Sequence, residues 1–318
     1  ESNLDWEAQE LAAKGLDFSA FQLKFKPEDE VVEKISGASV VVVNMVKMTE
    51  SLLARLPECK LLIRHGIGYD NVDVPACTRH GIQFAYQPEY CTEDVAEHAI
   101  TLLFAIARKV VLSRKTLEDA SRTGQWNFSN VFPIYRMAGK TVGLLGVGRI
   151  GSLVVAKLKG FGFRIIGYDP YLSDLRKQAL GIEFVDKETL FRSSDFITIH
   201  TPLNDETRQI VNARTLAMMK PTACLINTAR GPMVDSEALA EVLKAGKIAG
   251  AAIDVYDVEP PPLSYPLFGL QNAILTPHIA WASEESGQDI RRLILEDILA
   301  FASGKTAKHV VNKELLKK

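Results

Sequence analysis

The sequence predicts an α/β protein with two doubly wound parallel-sheet domains: a Rossmann dinucleotide-binding domain inserted in a flavodoxin-like substrate domain. Three observations carry this expectation. Short β-branched or apolar segments alternate with helical ones along two separate stretches, the pattern of right-handed βαβ units. A glycine turn, Gly146-Val147-Gly148-Arg149-Ile150-Gly151, joins a strand to a helix in the second stretch. The 318 residues are also enough for two ordinary domains.

The elements follow in order. Leu4, Ala8, Leu11 and Ala12 recur at helical spacing. An α/β unit normally opens on a strand, so one is expected to precede Glu1 in the native chain. Strands are then predicted at Phe18–Leu23, Val40–Val43, Lys60–Arg64 and Ile82–Ala85, and helices at Pro27–Ser36, Thr49–Leu56 and Val72–His80. Gln87-Pro88 interrupts the alternation. Thr92 is a good N-cap for a long helix with Glu93 and Asp94 in its first turn. Its apolar face is Val95, Ala99, Leu102, Leu103, Ile106 and Val110. Residues 124–136 are irregular and aromatic (Trp126, Phe128, Phe132, Tyr135).

A second alternating series has strands at Thr141–Leu145, Arg164–Tyr168, Phe196–His200, Ala223–Asn227, Ile248–Asp254 and Ala273–Thr276. Six extended segments match the strand count of a full dinucleotide fold. The last helix, Ser283 to about Ser303, is expected to return to the first domain. The domains are therefore residues 1–87 with 283–318, and residues 88–282. Lys317-Lys318 reads as a solvated end.

Composition narrows the function. Hydrophobic residues make up 47% and charged residues 24%, a globular balance. A formal net charge of −2 gives no basic field for nucleic acid or an anionic membrane. No apolar run reaches the roughly 18–20 residues of a membrane span. Cys59, Cys77, Cys91 and Cys224 lack metal-ligand spacing and read as reduced thiols of a cytoplasmic protein, with no metal site.

The glycine turn has the G-x-G-x-x-G spacing between the strand Thr141–Leu145 and a helix from Ser152. Gly146 permits the tight turn, Gly148 lets backbone N–H groups approach a pyrophosphate, and Gly151 allows close helix–strand packing. Arg149 and Ile150 complete the turn, and the helix N-terminus favours phosphate. Eighteen residues past Gly151, Asp169 ends the next strand. A carboxylate there accepts the ribose hydroxyls and repels a 2′-phosphate, which favours NAD over NADP.

Three residues offer reaction chemistry, each after a separate strand end, where open α/β sheets bind ligands. Arg230 lies in Asn227-Thr228-Ala229-Arg230-Gly231, Glu259 precedes a proline-rich loop, and His278 follows Pro277. Together they supply an anion holder, a carboxylate and an acid/base.

The chain resembles the D-isomer-specific 2-hydroxyacid dehydrogenases, a family that includes phosphoglycerate and glycerate dehydrogenases and the C-terminal-binding-protein corepressors. The resemblance runs from about Ser39 onward. It rests on residues 64–73 (Arg-His-Gly-Ile-Gly-Tyr-Asp-Asn-Val-Asp), the glycine turn, Asn227–Asp235, Asp254–Pro260 and Thr276–Ser283. It implies that Arg230 binds the carboxylate and keto oxygen of a small 2-keto acid. His278 would exchange a proton with that oxygen as hydride moves, and Glu259 would orient the imidazole. Backbone N–H groups of Ile67 and Gly68 would complete the carboxylate cradle. Asp254, Thr228 and Ala229 would meet the nicotinamide, and His200, Thr201, Pro202 and Thr207 the adenosine side.

Trp281 would narrow the substrate pocket or simply pack, and Arg64 would contact the substrate or pair with a nearby acid. The helix after Thr92 and the segment Trp126–Tyr135 resemble the family's dimer arm, so a homodimer is expected. An NAD(H)-sensing corepressor-like protein is the alternative, supported by the His278-Ile279-Ala280-Trp281 pattern.

Overall fold

The structure, a computed structural model, describes residues 3–317. The strand expected ahead of Glu1 and the side chains of Lys317-Lys318 lie outside the described residues. The chain divides into two compact units, one running to Cys91 and resuming at Ser283, the other spanning Thr92–Ala282.

The first unit holds a parallel sheet of three strands in chain order, β1 (Val40–Val43), β2 (Leu61–Arg64) and β3 (Gln83–Tyr86). Leu61, Leu62 and Ile63 of the central strand have no exposed surface, as a parallel strand covered on both faces requires. Leu62 joins Val41, Val43 and Phe84 on one face, while Leu61 and Ile63 meet Ile290 and Ile294 on the other. Ile290 and Ile294 come from the helix Glu284–Ala302, opened by a capping box between Ser283 and Ser286. Each such fully buried Leu or Ile contributes about 1.5–3 kcal/mol.

Thr49 and Asp73 cap the short helices Glu50–Leu53 and Val74–Arg79, accepting from Leu52 N and Ala76 N. The strand expected at Phe18–Leu23 is not formed, and Phe18 and Phe21 are exposed. Aromatic, extended sequence becomes a strand only where a neighbour accepts its hydrogen bonds, and no described strand pairs with it.

The second unit is a seven-stranded parallel sheet. Its strands are β4 (Thr141–Leu145), β5 (Arg164–Tyr168), β6 (Glu183–Phe184), β7 (Phe196–Ile199), β8 (Cys224–Asn227), β9 (Gly250–Ile253) and β10 (Ala273–Leu275). Their order is β10-β9-β8-β7-β4-β5-β6. The two-residue β6 is too short to leave a periodic signal. The order reverses at β4, which pairs with both β5 and β7, so ligand binding is expected at the carboxyl ends of these strands.

Alternate residues of β4 and β8 feed opposite cores. Leu145 and Leu225 face one cluster, Leu144 and Ile226 the other. The helix Thr92–Ala107 covers the second cluster with Leu102, Leu103 and Ile106. It stops earlier than its pattern predicts: Lys109 takes a left-handed φ of 52° and a new helix, Val110–Thr123, begins. Val110 therefore leaves the apolar face and is exposed. Among the described residues, no helix is long and apolar enough to cross a membrane.

Candidate active site

All seven strands of the second unit run parallel, so their carboxyl ends share one edge of the sheet. That edge carries the glycine turn after β4, Asp169 after β5, His200 after β7, Arg230 after β8, Asp254 after β9 and His278 after β10.

The glycine turn is closed by backbone approach. Gly146 has φ 86°, and a Cβ on it would lie 2.8 Å from the backbone of His200 and Thr201. A Cβ on Gly151 would lie 2.5 Å from the Gly146 oxygen, whereas the space beside Gly148 is open. Gly148 is the N-cap of the helix Arg149–Leu158, so the partial positive end of that helix adjoins open space. Asp169 accepts from the N–H of Val147 at 2.9 Å through one oxygen and from that of Tyr171 at 3.1 Å through the other. It thereby fixes the turn and holds a carboxylate beside it.

Thr207 Oγ1 bonds to the Pro202 carbonyl at 2.7 Å and shapes the loop after His200. Half-buried His200 meets Thr198 Oγ1 at 2.9 Å, and desolvation pushes its pKa down to about 4, leaving it neutral near pH 7. Buried Thr228 Oγ1 has no hydrogen-bond partner, unusual for a buried hydroxyl. The tight glycine cradle, the open helix N-terminus, the carboxylate and this hydroxyl together fit a dinucleotide.

The predicted acid/base pair lies on neighbouring loops. His278 Nδ1 is 2.7 Å and 2.9 Å from the two carboxylate oxygens of Glu259. Glu259 also accepts from Tyr256 N at 3.1 Å. Burial alone would raise the Glu259 pKa, but the hydrogen bond and charge of His278, the Tyr256 N–H and the charge of Arg230 outweigh it and hold it below the ordinary value. The Glu259 contact occupies His278 Nδ1 and leaves Nε2 for a reacting atom. Tyr256 ties the two loops, donating to the Thr276 carbonyl at 2.8 Å; burial pushes its phenol up to about 12.

Arg230 is set by Asn227, whose side chain accepts from Ala229 N at 3.0 Å and donates to the Arg230 carbonyl at 2.9 Å. Gly231 packs against the Tyr256–Asp257 backbone so closely that a Cβ there would overlap it. This packing brings the Arg230 loop against the Glu259 loop. Asp254 is fully buried. Its Oδ1 accepts from Thr276 Oγ1 at 2.5 Å and Ile279 N at 3.0 Å, and its Oδ2 from Ala280 N at 2.9 Å. Burial opposes its ionisation, yet the nearby imidazole of His98 and the hydrogen bonds from Thr276, Ala280 and Ile279 keep its pKa lowered.

The structure thus joins Glu259 to His278, and the charge of Arg230 reaches Glu259. Trp281 is 41% exposed. Arg64, Ile67 and Gly68 belong to the first unit, after β2. There Arg64 Nη1 donates to Asn44 Oδ1 at 3.2 Å and to the His65 carbonyl, and Gly66, at φ 148°, folds over the guanidinium. Sequence reasoning missed Asn227, Tyr256 and Gly231 as positioning residues. All three stand in the blocks Asn227–Asp235 and Asp254–Pro260, but nothing local shows what they touch. It also missed His98, which sits among apolar positions of a helix.

Residues 100–280 match the family described as D-isomer specific 2-hydroxyacid dehydrogenase, NAD binding domain. The chain is 37% identical over 300 residues to a glyoxylate reductase of Thermococcus litoralis, covering 92% of this chain and 89% of that one. It is 39% identical over 287 residues to a D-3-phosphoglycerate dehydrogenase of Methanocaldococcus jannaschii, covering 90% of this chain and 54% of that one. Among solved structures, a D-lactate dehydrogenase from Aquifex aeolicus complexed with NAD and lactic acid superimposes with a TM-score of 0.83. Its identity is 28%, and the match covers 95% of this chain and 92% of that one.

Proposed function

The chain belongs to the D-isomer-specific 2-hydroxyacid dehydrogenase family, and from that premise we propose that His278, Glu259 and Arg230 interconvert a small 2-keto acid and its D-2-hydroxy acid. It is an NAD-dependent oxidoreductase acting on a CH–OH group. The observation that carries the residue assignment is the 2.7 Å contact between His278 Nδ1 and Glu259. When bound, NAD(H) supplies or accepts the hydride at the carbon.

Arg230 holds the substrate carboxylate through its planar fork of donors. Protonated His278 gives its Nε2 proton to the keto oxygen, and in the reverse direction neutral Nε2 takes it back. Ionised Glu259 favours the imidazolium and fixes the ring. Gly146, Gly148, Arg149, Ile150 and Gly151 would cradle the pyrophosphate. Asp169 would take the ribose hydroxyls, His200–Pro202 and Thr207 the adenosine side, and Thr228, Ala229 and Asp254 the nicotinamide end. Arg64, Ile67, Gly68 and Trp281 are assigned to substrate by the resemblance alone.

The relatives' names favour glyoxylate, pyruvate and 3-phosphohydroxypyruvate as the first acids to try. The test is NADH oxidation with these acids and with hydroxypyruvate and bulkier 2-keto acids. Turnover of at least one is expected. Tight NADH binding with no turnover would return the corepressor-like alternative, which those reductase and dehydrogenase names do not support.

The pH profile follows from the pair. Glu259 has a lowered pKa, so it stays ionised below the range of an ordinary glutamate. Its support for the imidazolium is present above that lowered value and is lost as pH falls through it. Glu259→Gln should lower kcat/KM for reduction and abolish this acid-side dependence, because an amide neither ionises nor favours the imidazolium. An unmoved profile would remove Glu259 from the role.

For the cofactor, Asp169→Ala should lower the preference for NADH over NADPH by about tenfold or more, since the repelling carboxylate is gone. An unchanged ratio of kcat/KM would show that selectivity lies elsewhere. A homodimer is supported by the exposure of Trp126, Phe128, Phe132 and Tyr135 along one segment, rings that a partner copy would cover. Light scattering should give twice the chain mass at micromolar concentration, and a monomer would overturn the dimer. Cys59, Cys77 and Cys224 are free and buried, which supports a reducing, cytoplasmic setting.

A further inference from the structure

We propose that His98 is a positioning residue for this reaction, acting through Thr276 and Asp254 to hold the turn that carries His278. The proposal rests on the assignment of His278 as the acid/base. The observations are geometric. His278 sits at φ 56°, a left-handed conformation that costs a non-glycine residue about 1–2 kcal/mol. The two backbone N–H groups that follow it, of Ile279 and Ala280, point one to each oxygen of Asp254, so this carboxylate pins the turn on its downstream side.

Asp254 has no exposed surface, and a buried carboxylate needs all its donors in place. One donor is Thr276, two residues upstream of His278. Its hydroxyl proton is committed to Asp254 Oδ1 at 2.5 Å, so toward His98 its oxygen can only accept. His98 Nε2 lies 3.3 Å from that oxygen and 3.6 Å from Asp254 Oδ1, which fixes Nε2 as a protonated donor. His98 stands on the helix Thr92–Ala107, 178 residues from Thr276 in sequence, with its side chain 19% exposed. It therefore anchors the turn to a helix that belongs to the packed core.

The chain of contacts ends at the reacting group. Loss of the His98 donor removes the polar contact that reaches Thr276 Oγ1 from this helix. The turn is then held less firmly, and the ring of His278 loses its fixed aim on Glu259. A residue that merely filled space would be replaced by leucine without this consequence.

The test uses the full chain with NADH and a turned-over keto acid. His98→Leu, which keeps bulk and removes the donor, should lower kcat about 10²-fold, with KM and the NADH dissociation constant within about threefold of wild type. His98→Gln, which returns an N–H near the position of Nε2, should recover most of that loss. Thr276→Val removes the connecting hydroxyl with little change of shape and should reproduce the leucine pattern, even should His98→Leu not fold.

The second readout does not depend on turnover. In 15N-histidine NMR of the cofactor-free protein, the Nδ1–H resonance of His278 bonded to Glu259 should shift or broaden in His98→Leu and return in His98→Gln. A wild-type kcat with an unmoved resonance in His98→Leu overturns the proposal. So does a glutamine variant no better than leucine, or a loss of kcat that tracks thermal stability alone. Activity retained by His278→Asn would instead overturn the acid/base assignment, a different result from a neutral His98.

Discussion

His278→Asn should lower the rate of keto-acid reduction about 10²–10⁴-fold, the usual contribution of a positioned general acid, with NADH binding retained. Asparagine is the informative replacement. The residue at 278 has φ 56°, and asparagine tolerates that left-handed backbone better than alanine or a branched residue. The loss then reports the missing proton donor rather than a distorted turn. NADH fluorescence titration measures the retained binding, and initial rates measure the loss. A variant within about tenfold of wild type would mean that another group protonates the keto oxygen.

The second large effect is expected at Gly231, a residue with no chemistry of its own. A Cβ there would overlap the Tyr256 carbonyl carbon and the Asp257 nitrogen, both backbone atoms that cannot rotate aside. Gly231→Ala must therefore separate the Arg230 loop from the loop that carries Glu259. Overpacking of this kind destabilises by about 1–3 kcal/mol. Moving Arg230 by even about 1 Å costs roughly 10² in kcat/KM. Thermal denaturation and steady-state rates check the two parts separately. Normal stability and normal activity together would show that the two loops can part without consequence.

Much of the fold was legible because its signals are local. β4 and β5 were readable with their bounds, since an apolar run followed by glycine or Asp-Pro can hardly be anything else. The last helix, expected from Ser283 to about Ser303, is formed over Glu284–Ala302. The failures have equally local causes. Phe18–Leu23 has strand composition but no pairing partner among the described strands, and β6 is only two residues long. The helix opening near Thr92 has apolar periodicity through Val110, yet the backbone breaks at Lys109. Periodicity cannot see a single left-handed residue.

By itself the sequence determined the α/β class and the glycine turn with its carboxylate, and it singled out Arg230, Glu259 and His278 as candidates. These follow from short-range patterns and from blocks that resemble a known family. Only the tertiary structure decided that Asn227 and Gly231 set Arg230, that Tyr256 ties the Glu259 loop to Thr276, and that His98 stands behind Asp254. The physical reason is separation along the chain. His98 and Thr276 meet across 178 residues, and such a contact exists only once the helix and the sheet have packed.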